Sequence, residues 1–377
     1  MIDGLAALEV AAPGASDLAG WLLTAVAATV DDLALRAARI LVDRALMPAP
    51  DEVETLRASA RFYQEAPFTD DPRRFFGFLE RSCPVPEVTL APRARVADGE
   101  RLAVTFPSPY QPANPAYAAE FGTFAENRVV HAELWRHRDG GPRPTVIGLH
   151  GFGMGHPALD AAAIMAPALF AAGLDVALLT LPLHGARAPR STRFSGQLFA
   201  NPNVPRINES VAQAIHDLAA LRAWLRARAA GPVGVLGLSL GGYVAALAAA
   251  LMDDLDFAVP VVAPACFGDL AHRFMATSSL YRRRESAALS RQEFRAIYGI
   301  HSPLAHGPRL PRGRMLLVAA RGDRVVPAEH AVGLWAHWGG PRLAWFTGSH
   351  LVPFGRAHVL REILGFLAEC GVLPARA

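Results

Sequence analysis

Ser239 sits in GLSLGG, residues 237–242, between the apolar run PVGVL and the alanine-rich stretch GGYVAALAAAL. A serine with glycines at both second neighbours, after a strand and before a helix, is forced into a sharp, strained turn that exposes its hydroxyl at the sheet edge. Such a hydroxyl can attack a carbonyl carbon if a histidine takes its proton and a carboxylate orients that histidine. Two later turns offer those groups. Asp323 lies in RGDRVVP after the run RMLLVAA, and His350 lies in GSH after the run PRLAWF. The order is therefore nucleophile, acid, base, each just past an apolar run. Taken singly, each has a plain structural reading: a small residue in a tight turn, a turn or helix-capping aspartate, a surface-loop histidine. Asp254 and Asp256 are weaker candidates for the acid because they precede their strand. His358 is a poorer base because it falls inside a helix.

Acyl transfer also needs donors where negative charge develops on the carbonyl oxygen. The N–H of Leu240 opens the helix after Ser239 and points to that place. A second donor is expected from the loop IGLHGFGMGH, with Phe152 N–H first and Gly153 N–H second. The same G-F-G-M-G loop could be read as a dinucleotide-binding turn. That reading asks for an acidic residue at the end of the next strand to hold a ribose. The next strand ends ALLTLPLHG, without a carboxylate.

These residues must be positioned by a sheet. RVVHAELWRH alternates as a strand, and PTVIGL, LDVALL, PVGVL, DFAVPVV, RMLLVAA and PRLAWF are short apolar runs ending in turn residues. Helical patterns lie between them at about 157–172, 208–229, 240–252 and 327–338. Strands alternating with helices imply an α/β fold with a mostly parallel sheet covered on both faces. Residues 1–95 read as a helical region, with Asp17 able to cap a long apolar stretch that ends at Pro48 and with a second helix start at TDDPRRFFGFLERS. The proline-punctuated CPVPEVTLAPRARV marks a boundary near 95, which leaves 96–377 as the main domain. Residues 267–305 break the alternation and read as a helical insertion that caps the site.

The quoted segments LHGFG, GLSLGG, RGDRVVP and GSH resemble those of the α/β-hydrolase superfamily over roughly residues 100–377. LPLHGARAP and the stretch into AIHDLAALRAWL are more distantly similar to the α/β-hydrolase domain-containing 18-like and prolyl-oligopeptidase-like branches. The resemblance implies that Ser239 attacks the substrate carbonyl and His350 accepts its proton. Asp323 holds the imidazole tautomer, the amides of Phe152 and Leu240 form the oxyanion hole, and water then hydrolyses the acyl-enzyme. It implies a carboxylic ester substrate and no cofactor. Acyl transfer, thioester or peptide hydrolysis by the same serine, or a non-catalytic binding protein that keeps the fold, are the other functions it leaves open.

Other features point to bland roles. His131, Glu133 and His137 alternate on one strand face and could bind a metal, but they read as solvated side chains. His184, in LHGAR, reads as a turn residue packed under the site. The 377 residues carry a formal charge of +3, so the short run Arg282–Arg284 is a solvated face rather than a nucleic-acid site. Cys83, Cys266 and Cys370 are too few and too far apart for a disulfide framework, which suits a reducing cytoplasm. GWLLTAVAATV is too short to span a bilayer before Asp31 and Asp32, and reads as a buried helix rather than a membrane-surface segment.

Overall fold

A computed structural model describes residues 18–45, 50–65, 67–77, 84–200, 203–228, 231–276 and 289–374. Asp17, Cys83 and Arg282–Arg284 lie outside the described residues. The frame is one nine-stranded sheet in the order β1-β2-β3-β5-β4-β6-β7-β8-β9. The strands are β1 (Thr89–Val96), β2 (Gly99–Pro107), β3 (Val129–His137), β4 (Thr145–Leu149), β5 (Asp175–Leu179), β6 (Val233–Leu238), β7 (Ala258–Val261), β8 (Leu316–Ala320) and β9 (Arg342–Phe346). From β5 through β9 the neighbours pair in parallel; β1, β2, β3 and β5 pair antiparallel in that order.

Parallel strands need crossovers, and helices supply them on both faces. They are, in chain order, α1 (Leu18–Ala45), α2 (Pro50–Ala60), α3 (Pro115–Thr123), α4 (Pro157–Ala163), α5 (Ala166–Ala171), α6 (Gln197–Ala200), α7 (Val204–Arg228), α8 (Leu240–Leu251), α9 (Phe267–Ala276), α10 (Arg291–Tyr298), α11 (Ala328–His337) and α12 (Arg356–Glu369). One apolar cluster joins α7 and α8 to Phe75 and Phe76; the other places α5 and α12 against the opposite face. Every residue of α8 is buried, which explains its alanines: small side chains let it lie close to the sheet.

The structure departs from the sequence reading at three places. The sheet begins before residue 95, because the segment expected as a boundary forms β1. Its residues are almost all exposed, and it breaks register between Pro92 and Ala94, as an edge strand tolerates. The TDDP motif does cap a helix, with the Asp71 side chain accepting from Arg73 N–H, but that helix is a short 3₁₀ turn, Pro72–Phe76. Third, α1 is not a buried apolar helix. Trp21 and Val26 are 53% and 59% exposed, while the residues that turn inward are Ala27, Ala28 and the fully buried Asp31. An aspartate buries here because its carboxylate meets donors from two loops, as described below.

The region before β1 packs into the main core. Val53, Leu56, Tyr63, Phe75 and Phe76 share its apolar cluster. Glu209 of α7 ties it in place. Its carboxylate accepts from the Tyr63 hydroxyl at 2.9 Å, from the Tyr110 hydroxyl, and from the amides of Ala113 at 2.8 Å and Asn114 at 3.1 Å. A buried carboxylate is tolerable when it is met by this many donors.

Candidate active site

The turn after β6 closes over backbone. A Cβ on Gly237 would fall on the carbonyl of Gly241, and one on Gly241 on the carbonyl of Leu149. Glycine at both positions lets α8 start directly under β4, and the residue between them absorbs the strain. Ser239 has φ 56° and ψ −114°, a conformation that costs a non-glycine residue of order 1–3 kcal/mol. Its own N–H donates to Val261 O of β7 at 2.9 Å, and its hydroxyl stands at the carboxyl edge of the sheet.

His350 and Asp323 arrive at the same edge from the turns after β9 and β8. His350 Nε2 lies 2.8 Å from Ser239 Oγ, and His350 Nδ1 lies 2.7 Å from Asp323 Oδ2. The other carboxylate oxygen of Asp323 accepts from Val325 N–H at 2.9 Å and Val326 N–H at 2.6 Å. Those amides fix the carboxylate, which then draws the proton to Nδ1 and leaves the Nε2 lone pair for the serine hydroxyl. The three residues sit 111 and 27 positions apart in sequence, yet form one hydrogen-bonded chain.

The loop after β4 lies on the other side of Ser239. A Cβ on Gly151 would sit 3.6 Å from Ser239 Cβ. Leu240 N–H belongs to the first turn of α8, where no helical carbonyl can reach it. Two buried groups brace the loop, and sequence reasoning assigned neither. His150 places Nδ1 2.8 Å from Gly151 O and accepts from Leu181 N–H through Nε2 at 3.0 Å. This arrangement needs a neutral ring, and burial pushes its pKa down to about 3. Asp160 of α4 accepts from Gly155 N–H at 3.0 Å, and burial raises its carboxyl to about 6. The only sequence signal for His150 was its place at the end of a strand. His184 is buried beneath the loop with its ring edge-on to Phe152 at 5.7 Å, and Nδ1 lies 2.8 Å from Pro182 O. Burial pushes it down to about 4.

Three comparisons bear on this arrangement. The family model described as "Alpha/beta hydrolase domain containing 18" matches residues 85–269, and the one described as "Serine hydrolase (FSH1)" matches residues 199–361. An uncharacterized protein of Mycobacterium tuberculosis is 31% identical over 329 residues, covering 85% of this chain and 76% of its own. The chain belongs to the α/β-hydrolase superfamily. Among solved structures, acetyl xylan esterase 1 from a Thermoanaerobacterium species aligns with TM-score 0.56 at 14% identity, over 78% of this chain and 92% of that one. An acetyl xylan esterase from a Paenibacillus species aligns with TM-score 0.54 at 12% identity, over 78% and 93%. At these identities the two structures speak to the fold.

The remaining sequence candidates of this α/β-hydrolase lie elsewhere. Asp254 pairs with Arg222, while Asp256 pairs with Arg226 and accepts from Val233 N–H, at the start of β6 rather than its end. His358 lies within the first turn of α12. His131, Glu133 and His137 are not solvated as expected. Glu133 is buried, paired with Arg101 at 3.0 Å and bonded by Trp135 Nε1. His137 stacks on Phe170 and meets Asp175 at 2.8 Å. Glu133 and His137 thus have partners other than a metal, and His131 is half-buried. Among the described residues no helix is long and apolar enough to cross a membrane.

Proposed function

We propose that this protein is a serine hydrolase that cleaves a carboxylic ester. In this reading Ser239 is the nucleophile, His350 the general base and then acid, and Asp323 the orienting carboxylate. The amides of Leu240 and Phe152 bind the tetrahedral oxyanion. The alcohol leaves with the proton that His350 took from Ser239, and water, deprotonated by His350, releases the acid. The observation that carries the proposal is the Ser239–His350–Asp323 hydrogen-bond chain at a strained turn beside the Gly151 loop.

An apolar cavity of about 430 Å³ borders His350, lined in part by Met154, Leu238, Val262, Leu351 and Pro353. It supports an apolar acyl group on the substrate. The names of the two esterase structures make an acetyl ester the first substrate to try. Cys266 and Cys370 are free thiols, which suits the reducing cytoplasm proposed as its location.

The test pairs a fluorophosphonate probe with a panel of p-nitrophenyl esters of graded acyl length, beside thioester and peptide substrates. Labelling at Ser239 together with ester turnover is expected. An intact, folded protein that neither labels nor turns over an ester would sink the proposal; turnover of the thioester or peptide alone would move it to that class.

A further inference from the structure

Asp31, on α1, is fully buried and touches both turns that carry the acid and the base. Oδ2 accepts from Arg324 N–H, next to Asp323, and from His350 N–H itself, both at 3.0 Å. Oδ1 accepts from Ser349 Oγ–H at 2.8 Å and from Leu351 N–H at 3.0 Å. These four donors flank the imidazole on both sides in sequence and reach across to the acid turn. The helix approaches closely at the same place: a Cβ on Gly322 would meet the Thr24 side chain at 2.7 Å and the Thr24 carbonyl oxygen at 3.0 Å.

We infer that Asp31 is a positioning residue for the base: its carboxylate clamps the turn after β8 to the turn after β9 and so fixes His350 between Ser239 and Asp323. The chemistry of the donor set requires an acceptor on both oxygens. Three of the four donors are backbone amides, which cannot rotate away to another acceptor as a side chain can. The turn after β9 also contains Gly348 at φ 127°, where glycine is the residue that fits. Displacement of a reacting group by about 1 Å can cost on the order of 10²-fold in rate, so a carboxylate that never touches substrate can govern kcat. This inference rests on the proposed roles of Ser239, His350 and Asp323.

The decisive variant is Asp31→Asn in the full chain. It keeps shape and volume, so a side chain that merely fills space would leave activity at the wild-type level. As an amide it offers one acceptor oxygen and turns an NH₂ toward two donors. The expected result is a fall of about 10- to 100-fold in kcat and in the rate of fluorophosphonate labelling at Ser239, with KM for an acetyl ester changed by less than about threefold. The far-downfield proton resonance of His350 Nδ1–H, identified by its loss in His350→Ala, should disappear or broaden. Wild-type labelling and kcat in folded Asp31→Asn would overturn the inference. If that variant does not fold, Ser349→Ala decides: it removes one donor from Oδ1 together with the acceptor of Val352 N–H, and a labelling rate reduced about threefold or more with the downfield resonance broadened supports the clamp, while any other result overturns it. A wild-type protein that shows the downfield proton but never labels overturns the hydrolase reading, and this inference with it. Normal wild-type labelling beside an insensitive Asp31→Asn overturns the clamp alone.

Discussion

Ser239, His350 and Asp323 were legible in the sequence because each follows an apolar run by one tight turn, and such turns deliver side chains to one edge of a parallel sheet. The roles assigned to them make a sharp kinetic prediction. Ser239→Ala should lower kcat for ester hydrolysis on the order of 10⁴–10⁶-fold, and His350→Ala should be nearly as damaging, by analogy with serine triads in general. His358→Ala should be mild, since that side chain belongs to the first turn of α12. Steady-state kinetics on the three variants check this, and the reverse ranking of the two histidines would put the base elsewhere. Asp31 was not legible as a partner of these residues. Its contacts span 293 to 320 positions, and neither spacing nor periodicity reports on contacts at that range. What the sequence did show was an apolar run interrupted by Asp31 and Asp32, read as a buried helix. The structure buries the aspartate instead, since three amides and a hydroxyl can be satisfied by a carboxylate and by no apolar side chain.

Among elements, the parallel strands and their helices were legible because their periods are strong and their ends carry glycine, proline or aspartate. The β1–β2 hairpin was not, since β1 is exposed along its length and has no apolar period to read. The expected cap is described in its two flanking helices, α9 and α10; residues 277–288, which make up most of the link between them, lie outside the described residues. Asp269 holds the two together. Its carboxylate accepts from Arg291 at 2.8 Å and from Arg295 at 2.6 Å. Burial alone would raise its pKa, but those hydrogen bonds outweigh it and hold the carboxyl down at about 2. An aromatic path connects α9 to the site: Phe267 to Phe199 at 6.0 Å, Phe199 to His184 at 5.8 Å, and His184 to Phe152. If these helices roof the acyl pocket, Asp269→Ala should raise KM for long-chain esters while leaving kcat for the acetyl ester within about twofold. An unchanged chain-length profile in the folded variant would mean that α9 and α10 do not form the roof, and would direct attention to the helices before β1.

At the scale of the whole molecule, the histidines decide how it meets acid. Burial pushes His150 and His301 down to about 3, and His184, His216, His306 and His330 down to about 4. His301, for example, is fully buried between the Tyr243 hydroxyl at 2.7 Å and Asn208 at 3.1 Å. In the unfolded chain each titrates near 6.5. Between about 6.5 and 4, then, these rings are neutral in the folded state and protonated in the unfolded state. The unfolded state binds more protons, so stability falls as pH falls through that window. Each such proton is worth about 1.4 kcal/mol per pH unit once the unfolded ring is fully charged. Burial works in the opposite direction on Asp160, Glu209, Asp217 and Asp254, whose pKa values are all raised. These carboxylates take up protons in the folded state first and offset part of the loss. Against a total stability of about 5–15 kcal/mol, a loss on this scale from several rings weakens the fold in mildly acidic solution. The urea midpoint should therefore drop clearly between pH 7.5 and pH 5, and His330→Gln, which removes one of the six rings, should flatten the decline. A midpoint that holds constant across that range would show that these rings are not kept neutral by the fold.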